Sequence, residues 1–409
     1  MHHRIVQSVL VFFCAAQIGW AQEFKFLDRT VQVHGFVSQG FVYTDQNNWL
    51  TMNTTQGSGA MTDMGLNMSS QITDKFRVGA QVYDRNLGQL GQWHPSLDWA
   101  VADYRFKNWL GIRAGKVKTT LGLYNDAQDL DFLHVFALLP QSVYPSDLRD
   151  TTIAHSGGDL YGNIPFHHHL GDLSYTAYAG HRSDSIYSGY PYLISDFGFY
   201  LRSFGGPQYG GDARWNTPVK GLMIGASRMN EKITAKGSSA NLLEPSAGLL
   251  PYEATTKTFW TNQYYGEYLW RKLRIDAEYR RCYINVPYVP GSDIGIDTRG
   301  WYVSGAYRIQ KHLAVGSYYS RYRGTNTVTG PAAALIPTET DPGLPQNHVY
   351  DKAIAARIDL THFVFVKVEG HFMDGYGLGP YPDGFYPQQN PQGFKANSNA
   401  LVVKTGFYF

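Results

Sequence analysis

From Val31 onward the chain keeps placing apolar and polar residues at alternate positions, and this period of two constrains its fold more than any other feature. Leu273, Ile275, Ala277 and Tyr279 alternate with Arg274, Asp276, Glu278 and Arg280. Val364, Val366, Val368, Gly370 and Phe372 alternate with Phe365, Lys367, Glu369 and His371, and residues 351–360 repeat the pattern. In residues 31–43, Val31, Val33, Val37, Phe41 and Tyr43 share a face, Gln32, His34, Ser38 and Gly40 share the other, and Phe36 breaks the rule. Alternation at 180° per residue is that of a strand with one apolar and one polar face. The polar face is charged and the apolar face ends in aromatics. That combination fits a wall with hydrocarbon outside and water inside.

Turn spacing extends the argument. Short connections fall at 73–75, 107–109, 164–171, 218–220, 271–272, 310–312 and 361–362. Long polar segments rich in Gly, Pro and Asn lie between them at 44–62, 86–96, 118–149, 182–211, 232–256, 285–298, 324–349 and 375–394. This predicts an all-β, transmembrane antiparallel β-barrel of sixteen strands with short periplasmic turns and long extracellular loops. Eighteen strands stay open, because residues 151–217 divide least clearly and 195–203 offers extra pairing. Lipid gives no partner to an unpaired N–H or C=O, so such a sheet must close. At sixteen strands or more a barrel leaves an aqueous lumen.

Composition agrees. Charged residues are 17% of 409, against ~25% in soluble domains, while Tyr reaches 30 and Gly 43. The net charge of +2 supplies no field for nucleic acid. No interior apolar run reaches the ~18 residues of a membrane helix. Residues 1–21 read as a cleaved signal peptide: Arg4, an apolar stretch from Ile5 to Ile18, then Gly19-Trp20-Ala21 before Gln22. Residues 22–409 then form a single barrel domain. Of the two cysteines, Cys14 leaves with the signal and Cys282 remains alone, so no internal disulfide forms. No plug-like extension precedes the first strand at about Thr30.

The stretches 33–43, 71–88, 98–118, 122–133 and 367–377, with the ending Gly406-Phe407-Tyr408-Phe409, resemble bacterial (Gram-negative) outer-membrane porins and porin-like proteins of unassigned substrate. The segment 113–118 followed by Gly122-Leu123-Tyr124 is loosely similar to phosphate-selective porins. Thr120-Leu121-Gly122 stands where those have Pro-Phe-Gly, so phosphate selectivity does not carry over. The resemblance implies a multi-pass barrel in the cell outer membrane, a homotrimer, contact with outer-membrane lipid and lipopolysaccharide, and delivery to the barrel assembly machinery through Phe407 and Phe409. It implies a porin passing small hydrophilic solutes and ions by diffusion.

The resemblance to trimeric porins implies that the long loop at about 118–149 folds into the lumen, so selectivity is expected from Asp126, Asp129 and Asp131 of that loop facing Arg77, Arg85, Arg113, Arg274, Arg280, Arg308, Arg357 and Lys367 on the lumenal face. An acidic loop opposite a basic wall sets a transverse field, strengthened by the low dielectric of a narrow opening. Simple pairing of the wall cations with Asp276, Glu278, Asp351, Asp359 and Glu369 is the competing expectation. Tyr104, Phe106, Trp109 and Trp270 are expected in a lipid-facing girdle, and Tyr187, Tyr190, Tyr192, Tyr200 and Tyr209 in loops. His167-His168-His169 occupies a turn and completes no metal set. The acidic segment 338–351 offers a weak Ca²⁺ alternative. No catalytic elbow, cofactor motif or nucleic-acid patch occurs, so no enzyme is expected. Two other functions stay open: a substrate-specific channel for phosphate, another anion or a sugar, and a non-conducting structural or adhesive barrel. The alternation itself predicts a chain that stays monodisperse only in detergent and gives a β-type circular dichroism spectrum. A mainly helical spectrum contradicts it.

Overall fold

A computed structural model describes residues 22–26, 29–166, 170–240, 248–289, 291–334, 338, 340–341, 343–377 and 384–409. The expected signal segment 1–21, His167-His168-His169 and Glu339 lie outside the described residues. Sixteen antiparallel strands form the wall. They are β1 (Arg29–Thr44), β2 (Ser58–Thr73), β3 (Phe76–Leu87), β4 (Ser96–Lys107), β5 (Leu110–Lys118), β6 (Ala154–Pro165), β7 (Asp172–Asp184) and β8 (Phe199–Asn216). They continue as β9 (Leu222–Glu231), β10 (Thr258–Trp270), β11 (Leu273–Val289), β12 (Ser292–Gln310), β13 (Leu313–Thr329), β14 (His348–Asp359), β15 (Val364–Asp374) and β16 (Asn397–Tyr408). β16 pairs with β1 from Ala400↔Thr44 to Tyr408↔Phe36, which closes the sheet and removes its edges. A hairpin of Thr234–Ala240 and Leu249–Thr255 extends the long-loop rim beside β8, and Gln22–Phe26 folds back on the start of β1.

All seven short turns fall at the expected positions. One long loop does not exist: β11 and β12 run to Val289 and from Ser292, so the expected loop 285–298 is mostly strand. β8 likewise begins at Phe199, so residues 199–211 leave the expected loop 182–211, and Tyr200 and Tyr209 are exposed strand residues. The reason is physical. Above the lipid both faces of a strand meet water, so alternation fades and composition resembles that of a loop.

The two faces are sorted as the alternation requires. Leu66, Val82, Leu97, Ile112, Val303 and Ile354 point outward and are exposed on the isolated chain. Tyr104, Phe106, Trp109 and Trp270 are exposed near the short turns. Phe36, the exception in the sequence, turns into the lumen beside Tyr83, with ring centroids 6.4 Å apart. It lies over Gly65 of the neighbouring strand, where a Cβ would come within 2.5 Å of the ring. Tyr161 over Gly111, Tyr265 over Gly225 and Phe365 over Gly406 repeat the pairing of lumenal aromatic and glycine. Each ring fills the gap left by a missing side chain and fixes the register.

At the long-loop end, segments 45–57 and 384–396 pack inward. Trp49, Leu50, Met52 and Phe385 form an apolar cap with Leu138 of the loop beneath. The Tyr386 hydroxyl donates to Asp147 of that loop. Adding a Cβ at Gly111 places it 2.4 Å from Tyr161, whereas outward-facing Gly305 has nothing within 4 Å. Gly111→Ala is therefore expected to destabilise the barrel by ~1–3 kcal/mol and Gly305→Ala to leave it unchanged. Midpoints of the heat-dependent gel shift measure both, and equal midpoints contradict the packing.

Candidate functional site: a loop docked across the lumen

The connection between β5 and β6, residues 119–153, leaves the wall and crosses the lumen. It first meets β8–β11. The Gly122 amide donates to Ser227 Oγ at 2.9 Å, the Leu123 amide donates to Glu278 Oε2 at 3.0 Å, and Arg214 donates to the Gly122 carbonyl at 2.9 Å. Gly122 has φ +67°, and a Cβ there would fall 2.1 Å from the Gln263 amide. Only glycine allows so close an approach in this backbone region. Tyr144 and Tyr302 donate their hydroxyls to Glu278 at 2.8 and 2.5 Å, and Tyr124 donates to Asp276 at 2.5 Å.

The loop then crosses to β14–β16. Arg357 donates to the carbonyls of Phe132 and His134 at 2.5 and 3.1 Å. Lys367 donates to the Phe136 carbonyl at 2.6 Å, and the Ala137 amide donates to Glu369 Oε2 at 2.6 Å. Asp131 pairs with Lys404 at 2.7 Å and Lys367 at 3.6 Å. On the return, Arg280 donates to the Val143 carbonyl at 3.4 Å and Ser320 Oγ lies 2.8 Å from Ser142 Oγ. Arg85 donates to the Ser146 carbonyl at 2.8 Å and pairs with Asp150 at 3.2 Å.

The densest part faces β3–β5. Asp129 pairs with Lys118 at 2.8 Å and Arg149 at 3.4 Å, and accepts from Gln81 at 3.0 Å. Asp98 takes Arg149 at 2.9 Å and Lys118 at 3.8 Å. Arg149 also lies over the Tyr83 ring, 3.9 Å from its centroid. This network separates two cavities. One, of about 560 Å³, opens toward the short turns and is lined by Phe36, Arg77, Gln81, Trp99, Lys118 and Asp126, among others. The other, of about 210 Å³, opens toward the long loops and is lined by Arg85, Asp98, Lys116, Arg149, Asp150 and Asp184, among others. A space of about 60 Å³ between them touches Tyr83, Arg85, Asp129 and Arg149.

Every residue expected to set selectivity lies on the lumenal side, but not as one ring. Asp129, Asp131, Arg85, Arg280, Arg357 and Lys367 contact the loop or belong to it, as above. Asp126 lines the larger cavity, and its carbonyl accepts from Lys118 at 2.9 Å. Arg113 pairs with Asp159 at 3.3 Å and Asp103 at 3.7 Å, away from the loop. Arg274 pairs with Asp276 at 3.1 Å and with Glu267. Arg308 pairs with Asp359 at 3.3 Å near the short-turn rim. Arg77 donates to Ser69 Oγ at 3.2 Å and has no carboxylate within ion-pair distance among the described residues. Of the expected carboxylate partners, Asp276 and Asp359 pair with arginines, whereas Glu278 accepts from tyrosines. Asp351 and Glu369 both lie 2.9 Å from His371.

Sequence reading missed Lys118, Arg149, Asp98, Gln81 and Lys404. Lys404 sits between Val403 and Thr405, so its parity placed it in the lumen. Asp98 carried no such sign, because a register shift between Gln81 and Val82 turns it inward. In the buried trio Arg182, Asp184 and Glu231, with Arg182 at 2.7 and 2.8 Å from the carboxylates, Arg182 and Asp184 were hidden within an expected loop and Glu231 stood at the edge of the next.

Burial would raise the Asp131 carboxyl, but the ammonium groups of Lys404 and Lys367 outweigh it and hold it down to about 2. Burial, with Lys367 nearby, pushes His134 down to about 3. Burial raises Asp147 to about 6 although it accepts from Tyr386. Asp131 therefore adds stability above the unfolded value near ~3.9, lost as pH falls through about 2. His134 adds stability above ~6.5, lost as pH falls toward about 3. Asp147 acts oppositely, favouring the folded state below ~3.9 and losing that contribution as pH rises through about 6.

No family model matches the chain, and no curated protein matches it. Solved structures do. OmpT of Vibrio cholerae is 13% identical with a TM-score of 0.59, over 95% of this chain and 100% of that one. An anion-selective porin from Comamonas acidovorans is 10% identical with a TM-score of 0.55, over 93% and 100%. The outer membrane channel DcaP of Acinetobacter baumannii is 13% identical with a TM-score of 0.55, over 94% and 99%. The likeness establishes a shared fold, that of outer-membrane barrels. Replacing His134 by Phe keeps a ring against Tyr124, whose centroid lies 4.8 Å away, and removes the titration. His134→Phe is expected to flatten the fall in thermal midpoint between pH 6.5 and 3; a slope equal to that of the wild type contradicts the assignment.

Proposed function

We propose that this protein is a porin of a Gram-negative outer membrane, passing small hydrophilic solutes and ions through a constriction formed by loop 119–153. The observation that carries the reading is the placement of the Lys118–Asp129–Arg149–Asp98 network between two cavities that open to opposite rims. A solute moving between them passes fixed charges in a confined space, where each charge acts more strongly than in bulk water. The protein supplies a path and an electrostatic filter; no bond is made or broken. The shared fold supports this reading, as does a wall whose outward face is apolar below its long-loop rim.

Arg77 favours an anion-preferring form of the same channel. Its guanidinium faces the larger cavity with a serine hydroxyl as partner, so it adds positive potential at that mouth. A non-conducting barrel is favoured by a different observation. Gln81, Glu278, Tyr302, Lys367 and Glu369, on widely spaced strands, are all nearly covered by the loop. A homotrimer is part of the proposal. One solved structure of similar fold is described as a trimer form, and the outward face of β6–β8 carries Gly158, Ala177, Ala179, Gly211 and Ala213, small enough for a second wall to lie close. Recognition of Phe407 and Phe409 by the assembly machinery is likewise proposed; the two rings lie 6.0 Å apart at the closing seam.

Planar-bilayer recording tests the reading. Wild-type protein is expected to give discrete conductance steps, with reversal potentials in a salt gradient displaced toward anions. Replacing Asp126, Asp129 and Asp131 together by Asn is expected to raise conductance and increase anion preference. Absent steps support the non-conducting barrel; unchanged conductance and ion preference remove the loop from the constriction.

A further inference from the structure

The outer wall carries a second set of arginines that the channel reading does not use. The register places Arg228 of β9 opposite Asn262 of β10, Asn262 opposite Arg281 of β11, Arg281 opposite Arg299 of β12, and Arg299 opposite Arg323 of β13. They form one row across five neighbouring strands. Parity is outward throughout: each shares its face with exposed Ile224, Ile275, Val303 or Tyr307 and, on β13, with Tyr319. Arg321, one step below Arg323, and exposed Lys352 on β14 extend the row. Among the described residues the one carboxylate paired with it is Asp297, at 2.7 Å from Arg281 and 3.0 Å from Arg299. The remaining partners are neutral: Asn262 for Arg228 at 3.1 Å, Tyr319 for Arg321 at 2.7 Å and Tyr350 for Arg323 at 2.9 Å. Six cations therefore stand against one carboxylate on a wall that is otherwise apolar.

Height makes the row informative. Arg281 is eight residues above Leu273, the first residue of β11, and Arg323 is ten above Leu313, the first of β13. At ~3.3 Å per residue and a tilt of ~35–45° these climb roughly 19–27 Å, the height of the apolar band. The row thus sits at the boundary of lipid and water on the long-loop side. Tyr264, Tyr279 and Trp301 lie directly beneath it as an aromatic girdle, and Arg321 lies over the Trp301 and Tyr350 rings at 5.9 and 4.6 Å. The rings hold the guanidinium groups at that level and keep them extended along the surface.

We infer that this belt binds the phosphate groups of an outer-leaflet glycolipid whose acyl chains lie on the apolar wall below. Guanidinium forks match phosphate oxygens two at a time. A row of them spaced by the inter-strand distance of ~4.8 Å suits a head group bearing more than one phosphate. Exposed Tyr264 and Val303 beneath supply the surface for the chains, which selects an anchored lipid over a soluble phosphate. The inference rests on the barrel spanning an outer membrane.

The test uses the purified full-length barrel in nonionic detergent, with native mass spectrometry counting bound lipid. The probes are bis-phosphorylated lipid A, its dephosphorylated form, and the deacylated phosphorylated disaccharide. Wild-type protein is expected to retain the bis-phosphorylated lipid in preference to the other two. The variant Arg281→Gln/Arg299→Gln/Arg321→Gln/Arg323→Gln is expected to bind it about tenfold more weakly or worse. A control at the opposite rim, Lys75→Gln/Lys220→Gln/Arg271→Gln/Lys311→Gln, removes the same charge and is expected to bind as wild type. Should the fourfold variant fail to fold, Arg299→Gln/Arg323→Gln, both exposed, is expected to lose about threefold. Equal binding by the belt variants, an equal loss in the rim control, or equal binding of the dephosphorylated lipid or the disaccharide overturns the inference. A barrel that never inserts into phosphatidylcholine vesicles fails the membrane reading itself; one that inserts but shows no phosphate preference fails the belt alone.

Discussion

The pairing of β16 with β1 is the constraint from which the remaining structure follows. Hydrocarbon offers no hydrogen-bond partner, so each edge strand must find the other. Once Val402 lies opposite Val42 and Phe407 opposite Val37, the strand count fixes a circumference and hence a lumen. Outward positions must then be apolar and inward positions must meet water or one another. The chain meets the second requirement with charge, and with aromatic rings laid over glycines where the strands come closest.

Charge in a lumen has a consequence that charge on an open surface does not. The crossing loop covers the wall groups, so Asp129, Asp131, Lys367 and Glu369 are withdrawn from water and must each find a partner in the loop or the wall. Removing one partner of such a pair costs about 3–5 kcal/mol, because the other is left buried and unpaired. The loop therefore has one low-energy seat, defined at its far points by Glu278 on one wall and by Lys367, Glu369 and Lys404 on the other. On the near wall, Lys118, which pairs with Asp129, borders the cavity toward the short turns, and Asp98 and Arg149 border the one toward the long loops. The apolar cap around Trp49 and Phe385 and the Tyr386 to Asp147 hydrogen bond press on the loop from above, so two further connections act on it together.

Much of the wall was legible in the sequence, because lipid and water impose opposite demands on alternate residues. The lumenal parity of Arg77, Arg113, Arg274, Arg357 and Lys367 came directly from that alternation, as did the short turns. Legibility failed where the solvent is the same on both faces. The upper halves of β11 and β12 read as a loop for that reason, and Arg281 and Arg299, at the edge of that stretch, escaped notice. It failed again where one residue changes the register. Asp98 joins the central network through such a shift, and no spacing rule marks it. The partners of Asp129 and Asp131 were out of reach for a third reason: a loop that crosses the lumen brings together residues far apart in the chain, and composition gives no direction to its path.

The molecule thus carries two separate sets of arginines with different surroundings. Those inside, Arg77 apart, are matched by carboxylates and by the carbonyls of the loop. Those outside stand above an aromatic girdle and face almost no acid. The central claim concerns the inner set: that the route for solutes runs beside loop 119–153. The most direct measurement is single-channel recording of an Asp126→Cys variant, with Cys282 replaced by Ser, while a bulky thiol reagent is added. If the route passes the loop, current drops stepwise as the label attaches and recovers on reduction. A label found on residue 126 by mass spectrometry with the current unchanged would contradict the account.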